Sequence, residues 1–68
     1  MPETRYHQLT EMGAAAGWSA ANLADAYGGV VKFNAELLKI RYPDPAEAEC
    51  WAFGFELGVE RFEKEHKA

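Results

Sequence analysis

Apolar residues recur along the chain in two helical rhythms separated by a short proline-bearing interruption. In the first half Ala16, Ala20, Leu23, Tyr27, Val30 and Leu37 alternate spacings of four and three, with Asn34 filling the place between Val30 and Leu37. Leu9 and Met12 extend this stripe upstream, and Ala24, Val31 and Leu38 widen it, while Asp25, Lys32, Glu36 and Lys39 fall on the other side. That spacing predicts an amphipathic helix. In the second half Trp51, Phe55, Gly58 and Phe62 share one face, with Ala48, Ala52 and Val59 beside them. Glu49, Glu56, Glu60 and Glu63 make the solvated side, and Glu60–Lys64 and Glu63–Lys67 have the favoured (i, i+4) polarity for ion pairs. Phe53, with Leu57 and Cys50, lies off the main stripe and forms a second apolar strip on roughly the opposite side. A helix with two apolar strips calls for two neighbours.

The interruption is Tyr42-Pro43-Asp44-Pro45. Two prolines this close cannot both lie inside a helix. Pro43 biases Tyr42 to extended geometry and ends what precedes it. Asp44 reads as an N-cap, Pro45 as the first helical residue and Glu47 as the partner in a D-x-x-E capping box. The second helix is expected from Pro45 to about Lys64. The first is expected from about Thr4 to Arg41, a length of about 57 Å at about 1.5 Å per residue. Gly13, Gly17, Gly28 and Gly29 each weaken it by roughly 1 kcal/mol relative to Ala. A bend or break is therefore expected at Gly17-Trp18-Ser19 or at Gly28-Gly29. The reading is one all-α domain over residues 1–68: a helical hairpin with a bent or broken long first helix and a shorter second one, homodimeric. The alternative is a three-helix bundle with a helix-turn-helix core.

Composition sharpens this. The chain has 68 residues, 49% hydrophobic and 13% aromatic, with a single cysteine, Cys50, so no internal disulfide can form. Domains this small bury only roughly 60% of the surface of the unfolded chain, and oligomerisation is a common remedy. The formal net charge is −4, and Arg5 is the only Lys or Arg before Lys32. Phosphate contacts dominate nucleic-acid affinity, so the acid excess argues against DNA, RNA and anionic membrane. No apolar run reaches the ~18 residues of a membrane span, and the first residues lack the pattern of a secretory signal. A cytoplasmic location is expected.

Little in the sequence suggests catalysis. His7 and His66 lie near opposite ends, far from Cys50. His7 with Glu11, and Glu63 with His66, are one-turn pairs rather than a metal-ligand set. No enzyme activity, cofactor or metal is expected. Gly13-x-x-x-Gly17 and Gly54-x-x-x-Gly58 lack the Lys-Ser/Thr of a phosphate-binding loop and read as small-residue patches for close helix packing. Gly54 and Gly58, with Trp51, Phe55 and Phe62, are the candidates for a helix-packing or dimer seam. The segment Met12 to Ala26 fits a helix-turn-helix template. Its would-be recognition helix, Ser19 to Tyr27, has no Arg or Lys and carries Asp25, which leaves Asn22 as its one good reader of bases. Trp18, Phe33, Ile40, Arg41, Tyr42, Phe53 and Leu57 are candidates for partner contact, since Trp, Tyr and Arg are enriched at interface hot spots.

The alanine-rich stretch Gly13 to Tyr27 and the segment Trp51-Ala-Phe-Gly-Phe-Glu-Leu-Gly58 resemble the small quorum-sensing anti-activators of temperate Pseudomonas phages. The resemblance spans most of the chain. It implies a helical homodimer in the host cytoplasm that inhibits a host protein by binding it: a LuxR-type transcription activator and, for some members, the pilus assembly ATPase. No site residue is carried over from it. The leading expectation is a non-enzymatic, protein-binding inhibitor. The alternatives are a small DNA-binding helix-turn-helix regulator and a dimerisation or structural module.

Overall fold

The computed structural model of the protein describes residues 2–66, with side chains from Arg5 onward. It is all-α, with three helices: α1 (Pro2–Tyr27), α2 (Ala35–Arg41) and α3 (Pro45–His66). The long first element is broken at Gly28-Gly29, one of the two places expected. Gly28 has φ +75°, the left-handed conformation that glycine adopts without penalty. The N–H groups of Gly28 and Gly29 both donate to the Ala24 carbonyl, at 2.7 and 3.0 Å, which closes the end of α1. An extended connector follows. Asn34 then caps α2, its side-chain oxygen accepting from the N–H groups of Glu36 and Leu37 at 2.9 and 3.2 Å. The Tyr42 N–H donates to Leu38 O at 2.8 Å and ends the helix.

The turn at Tyr42–Asp44 behaves largely as the sequence suggests. Asp44 caps α3 by accepting from the Ala46 N–H at 3.0 Å. The capping box is not completed, because the Glu47 carboxylate is taken by the guanidinium of Arg5 on α1. That hydrogen bond, reinforced by charge attraction, holds the Glu47 carboxyl below its ordinary range and raises Arg5. Among the described residues Glu60 and Lys64 do not form an ion pair. Lys67, the partner expected for Glu63, lies outside those residues.

Between α1 and α3 the glycines face one another. A Cβ added to Gly13 would sit 2.0 Å from Trp51 O, and one on Gly17 would sit 2.0 Å from Phe55 O. From the other side, a Cβ on Gly54 would sit 1.9 Å from Thr10 O, and one on Gly58 2.0 Å from Ala14 O. Four glycine Cα–H groups therefore point at carbonyls of the facing helix, contacts worth roughly 0.5–1 kcal/mol each. The pairs also fix direction. Thr10 meets Gly54 and Ala14 meets Gly58, both partners advancing by one turn, so α1 and α3 run parallel. The fold-back at Tyr42–Asp44 sets α2 against α3, with which alone α2 packs. The connector and α2 carry the chain back between the two long helices.

Which face of α1 is buried differs from the expectation. The buried positions are Leu9, Gly13, Ala14, Gly17 and Ala21, whereas Met12, Leu23 and Tyr27 of the expected stripe are exposed. The i±4 ridge of small residues fits between the residues of α3. Backbone approach through glycine is closer than Leu23 or Tyr27 would permit, so the bulkier stripe is turned outward. On α3 the expected face holds: Gly54, Phe55, Gly58 and Phe62 are buried and Trp51 is half-buried. The helix-turn-helix alternative required a turn at Gly17-Trp18-Ser19, and α1 runs unbroken through those residues. The molecule measures 37 × 24 × 11 Å and is flat in one direction.

Candidate binding surfaces

So thin a molecule has two broad faces. On one, α1 and α3 leave an open groove of about 720 Å³. Its walls include His7, Ala14 and Trp18 from α1 and Leu57, Arg61 and Glu65 from α3. Trp18 was a candidate for partner contact. Instead it leans across the groove, its indole N–H donating to Glu65 Oε2 at 2.9 Å and its ring meeting Phe62 edge-on at 5.4 Å. Beside the groove, Phe53 is 58% exposed and Leu57 36%. Of the second strip of α3, Phe53 is thus mostly uncovered within the chain, whereas Leu57 and Cys50 are partly covered.

The other face carries the connector and α2. Phe33 inserts its ring edge-on against Trp51 at 5.3 Å and Phe55 at 4.9 Å. Tyr42 is buried at the turn, with Arg41 over its ring at 6.0 Å. Both had been candidates for partner contact. Both are used inside the fold, because the short α2 needs aromatic anchors at each end to stay against α3. Ile40 and Arg41 are exposed, as partner contact requires. Met12, Leu37 and Trp51 line a depression of about 360 Å³ on this face. Nothing in α2 itself is buried. The exposed apolar residues here are those the sequence reading assigned to the core: Leu23, Tyr27 and Val30, with Leu37 of α2. The signal that would have redirected them is the Gly13-Ala14-Gly17-Ala21 ridge, at the same one-turn spacing as Gly54 and Gly58.

The glycine seam is occupied within the chain. Gly54 and Gly58 serve as a helix-packing seam and are closed to a second copy. His7 and Glu11 approach to 3.1 Å on the exposed side of α1, and Cys50 is half-buried on α3. Among the described residues no three His, Cys, Asp or Glu side chains are grouped to hold a metal ion. Nor is any helix long and apolar enough to cross a membrane. No family model matches the chain, and no curated protein or solved structure is similar to it.

Proposed function

We propose that the chain acts by stoichiometric protein binding, holding a host regulatory protein in an inactive complex. The observation that carries this reading is the exposed Phe53–Leu57 strip beside the Trp18 groove. Large apolar side chains rimmed by charge mark interaction sites on small soluble domains, and the charged rim here is Arg61, Glu65 and Glu11, with His7 beside them. The resemblance to phage anti-activators supplies the partner to try first, the ligand-binding domain of a LuxR-type activator, and the pilus assembly ATPase second. Binding needs no catalytic group, which suits a chain whose histidines and cysteine lie apart.

The test is titration of the purified chain into each candidate, followed by calorimetry. A one-to-one complex is expected, weakened about 30-fold or more by Phe53→Ala if Phe53 is a hot spot, with the helical circular dichroism unchanged. Absence of heat and of a co-migrating complex with both candidates would remove these partners. A Phe53→Ala protein that binds as the parent does would remove this surface.

A further inference from the structure

We propose that the trough between the connector and α3 is a docking groove for a basic amphipathic helix of a partner protein. This goes beyond the binding role above and uses different residues. A hollow of about 420 Å³ lies there. Part of its lining is apolar: Phe55 is buried, and Val31, Phe33 and Val59 are half-buried. Its rim is acidic, with Glu56, Glu60 and Glu63 exposed one after another along α3 and Lys32 as the one base among them. A second hollow of about 300 Å³, bounded by Ala21, Asp25 and Phe62, shares Val31 and Glu63 with the first. The two make one trough that follows α3 from Phe55 to His66, a run of about 17 Å at about 1.5 Å per residue.

Charge and shape select the occupant. Lys32 against Asp25, Glu56, Glu60 and Glu63 gives a balance of 1 − 4 = −3 along the trough, in a chain of net charge −4. The acid excess is therefore concentrated here. Glu56 and Glu60, like charges one turn apart, repel each other. Among the described residues no cation pairs with Glu56, Glu60 or Glu63, so a bound cationic partner would relieve that repulsion. A metal ion does not fit, because among the described residues no three His, Cys, Asp or Glu side chains are grouped to hold one. The carboxylates are instead strung out along about three helical turns, at the spacing that Lys or Arg side chains take on a facing helix. The apolar lining between them suits the hydrophobic anchors of that helix, which is the helix-in-groove mode of recognition. Opposite charge on the two partners steers their encounter, and the same rim repels nucleic acid and anionic surfaces.

The test is fluorescence anisotropy of a labelled synthetic helix added to the full chain. The probe carries a stripe of Leu at helical spacing with Lys on both sides of it. The parent should bind it, and more weakly as salt is raised. Glu56→Gln/Glu63→Gln should weaken binding about 10-fold with the helical circular dichroism unchanged. Glu11→Gln/Glu36→Gln changes net charge by the same amount outside the trough, and should have an effect of about 2-fold at most. Replacing the Leu stripe of the probe by Ser should weaken binding about 30-fold or more. Equal losses in the two double variants would overturn the proposal, since net charge alone would then explain the attraction. So would a Ser probe that binds as well as the Leu probe, or a parent that does not bind the Leu probe. Phe53→Ala should leave this binding unchanged, and a loss there would move the probe to the Trp18 groove and overturn the assignment to the trough. None of these results bears on the calorimetric test of the regulatory partner.

Discussion

The α1–α3 seam and the strap formed by the connector and α2 are held by opposite means. In the seam, backbone meets backbone: four glycines admit carbonyls where any side chain would collide. In the strap, caps and a few rings do the holding. Gly28 and Asn34 fix its bends, Phe33 and Tyr42 pin it, and no residue of α2 is buried. The seam is consequently intolerant of any change at its glycines, while the strap should respond in proportion to what is removed. The comparison also separates a surface the fold consumes from one it leaves available.

The sharpest way to break this contrast is Gly58→Val. Its side chain would meet the backbone of Ala14 and Trp18, and overpacking of this severity costs about 3 kcal/mol or more. A single core of this size supplies only about 3–5 kcal/mol, so the cooperative thermal transition should be lost or displaced far downward. A variant that melts like the parent would show that the helices are not in backbone contact. Phe33→Ala should cost less, about 2 kcal/mol, below the usual range for aromatic truncation because the ring is only half-buried. Its signature is regional. Amide exchange in α2 should accelerate while α1 and α3 keep their protection, and uniform acceleration would mean that the strap and the seam unfold as one unit. The smallest effect belongs to the Arg5–Glu47 pair, which ties the starts of α1 and α3. The folded Glu47 carboxyl titrates below its unfolded value, so the contribution is complete above the ordinary carboxylate range and is lost as pH falls through the lowered folded value. Glu47→Gln should therefore flatten the acid limb of a plot of melting temperature against pH and leave the same plot above neutrality nearly parallel to the parent. An unchanged acid limb would assign the acid sensitivity to other carboxylates.

Much of the fold was legible in the sequence where the signals are local. Pro43, Asp44 and Pro45 specify a turn and a helix start by restricting backbone angles and supplying a cap, and Gly28-Gly29 marks the end of α1 for the same kind of reason. The stripe of α3 was legible because its large aromatic residues and its two glycines lie on the same face. On α1 those two signals point in different directions. Counting apolar bulk selects Leu23 and Tyr27, whereas close approach selects Gly13 and Gly17, and only the pairing with Gly54 and Gly58 decides between them. The parallel direction was not legible, since it depends on where the strap carries the chain. Among the candidate contact residues, Phe53 and Leu57 were set apart by their misfit to the main stripe of α3, and both are exposed. Phe33 and Tyr42 show no such difference in sequence from exposed aromatics, and their roles depend on the strap returning over Trp51.

The parallel run of α1 and α3 sets a length requirement. The chain leaves α1 at Tyr27 and must re-enter α3 near the level of the first turns of α1, a return of about 35 Å at about 1.5 Å per helical residue. Residues 28–44 provide about 10 Å in the seven residues of α2 and about 33 Å in the ten others if these are nearly extended. The tether is thus almost taut. Were residues 28–41 a single continuous helix, the reach would fall to about 31 Å and the ends would not meet. Interrupting the long first helix is therefore what gives the chain the reach to bring Gly54 and Gly58 level with Thr10 and Ala14. Length, as much as sequence, sets the register of the seam.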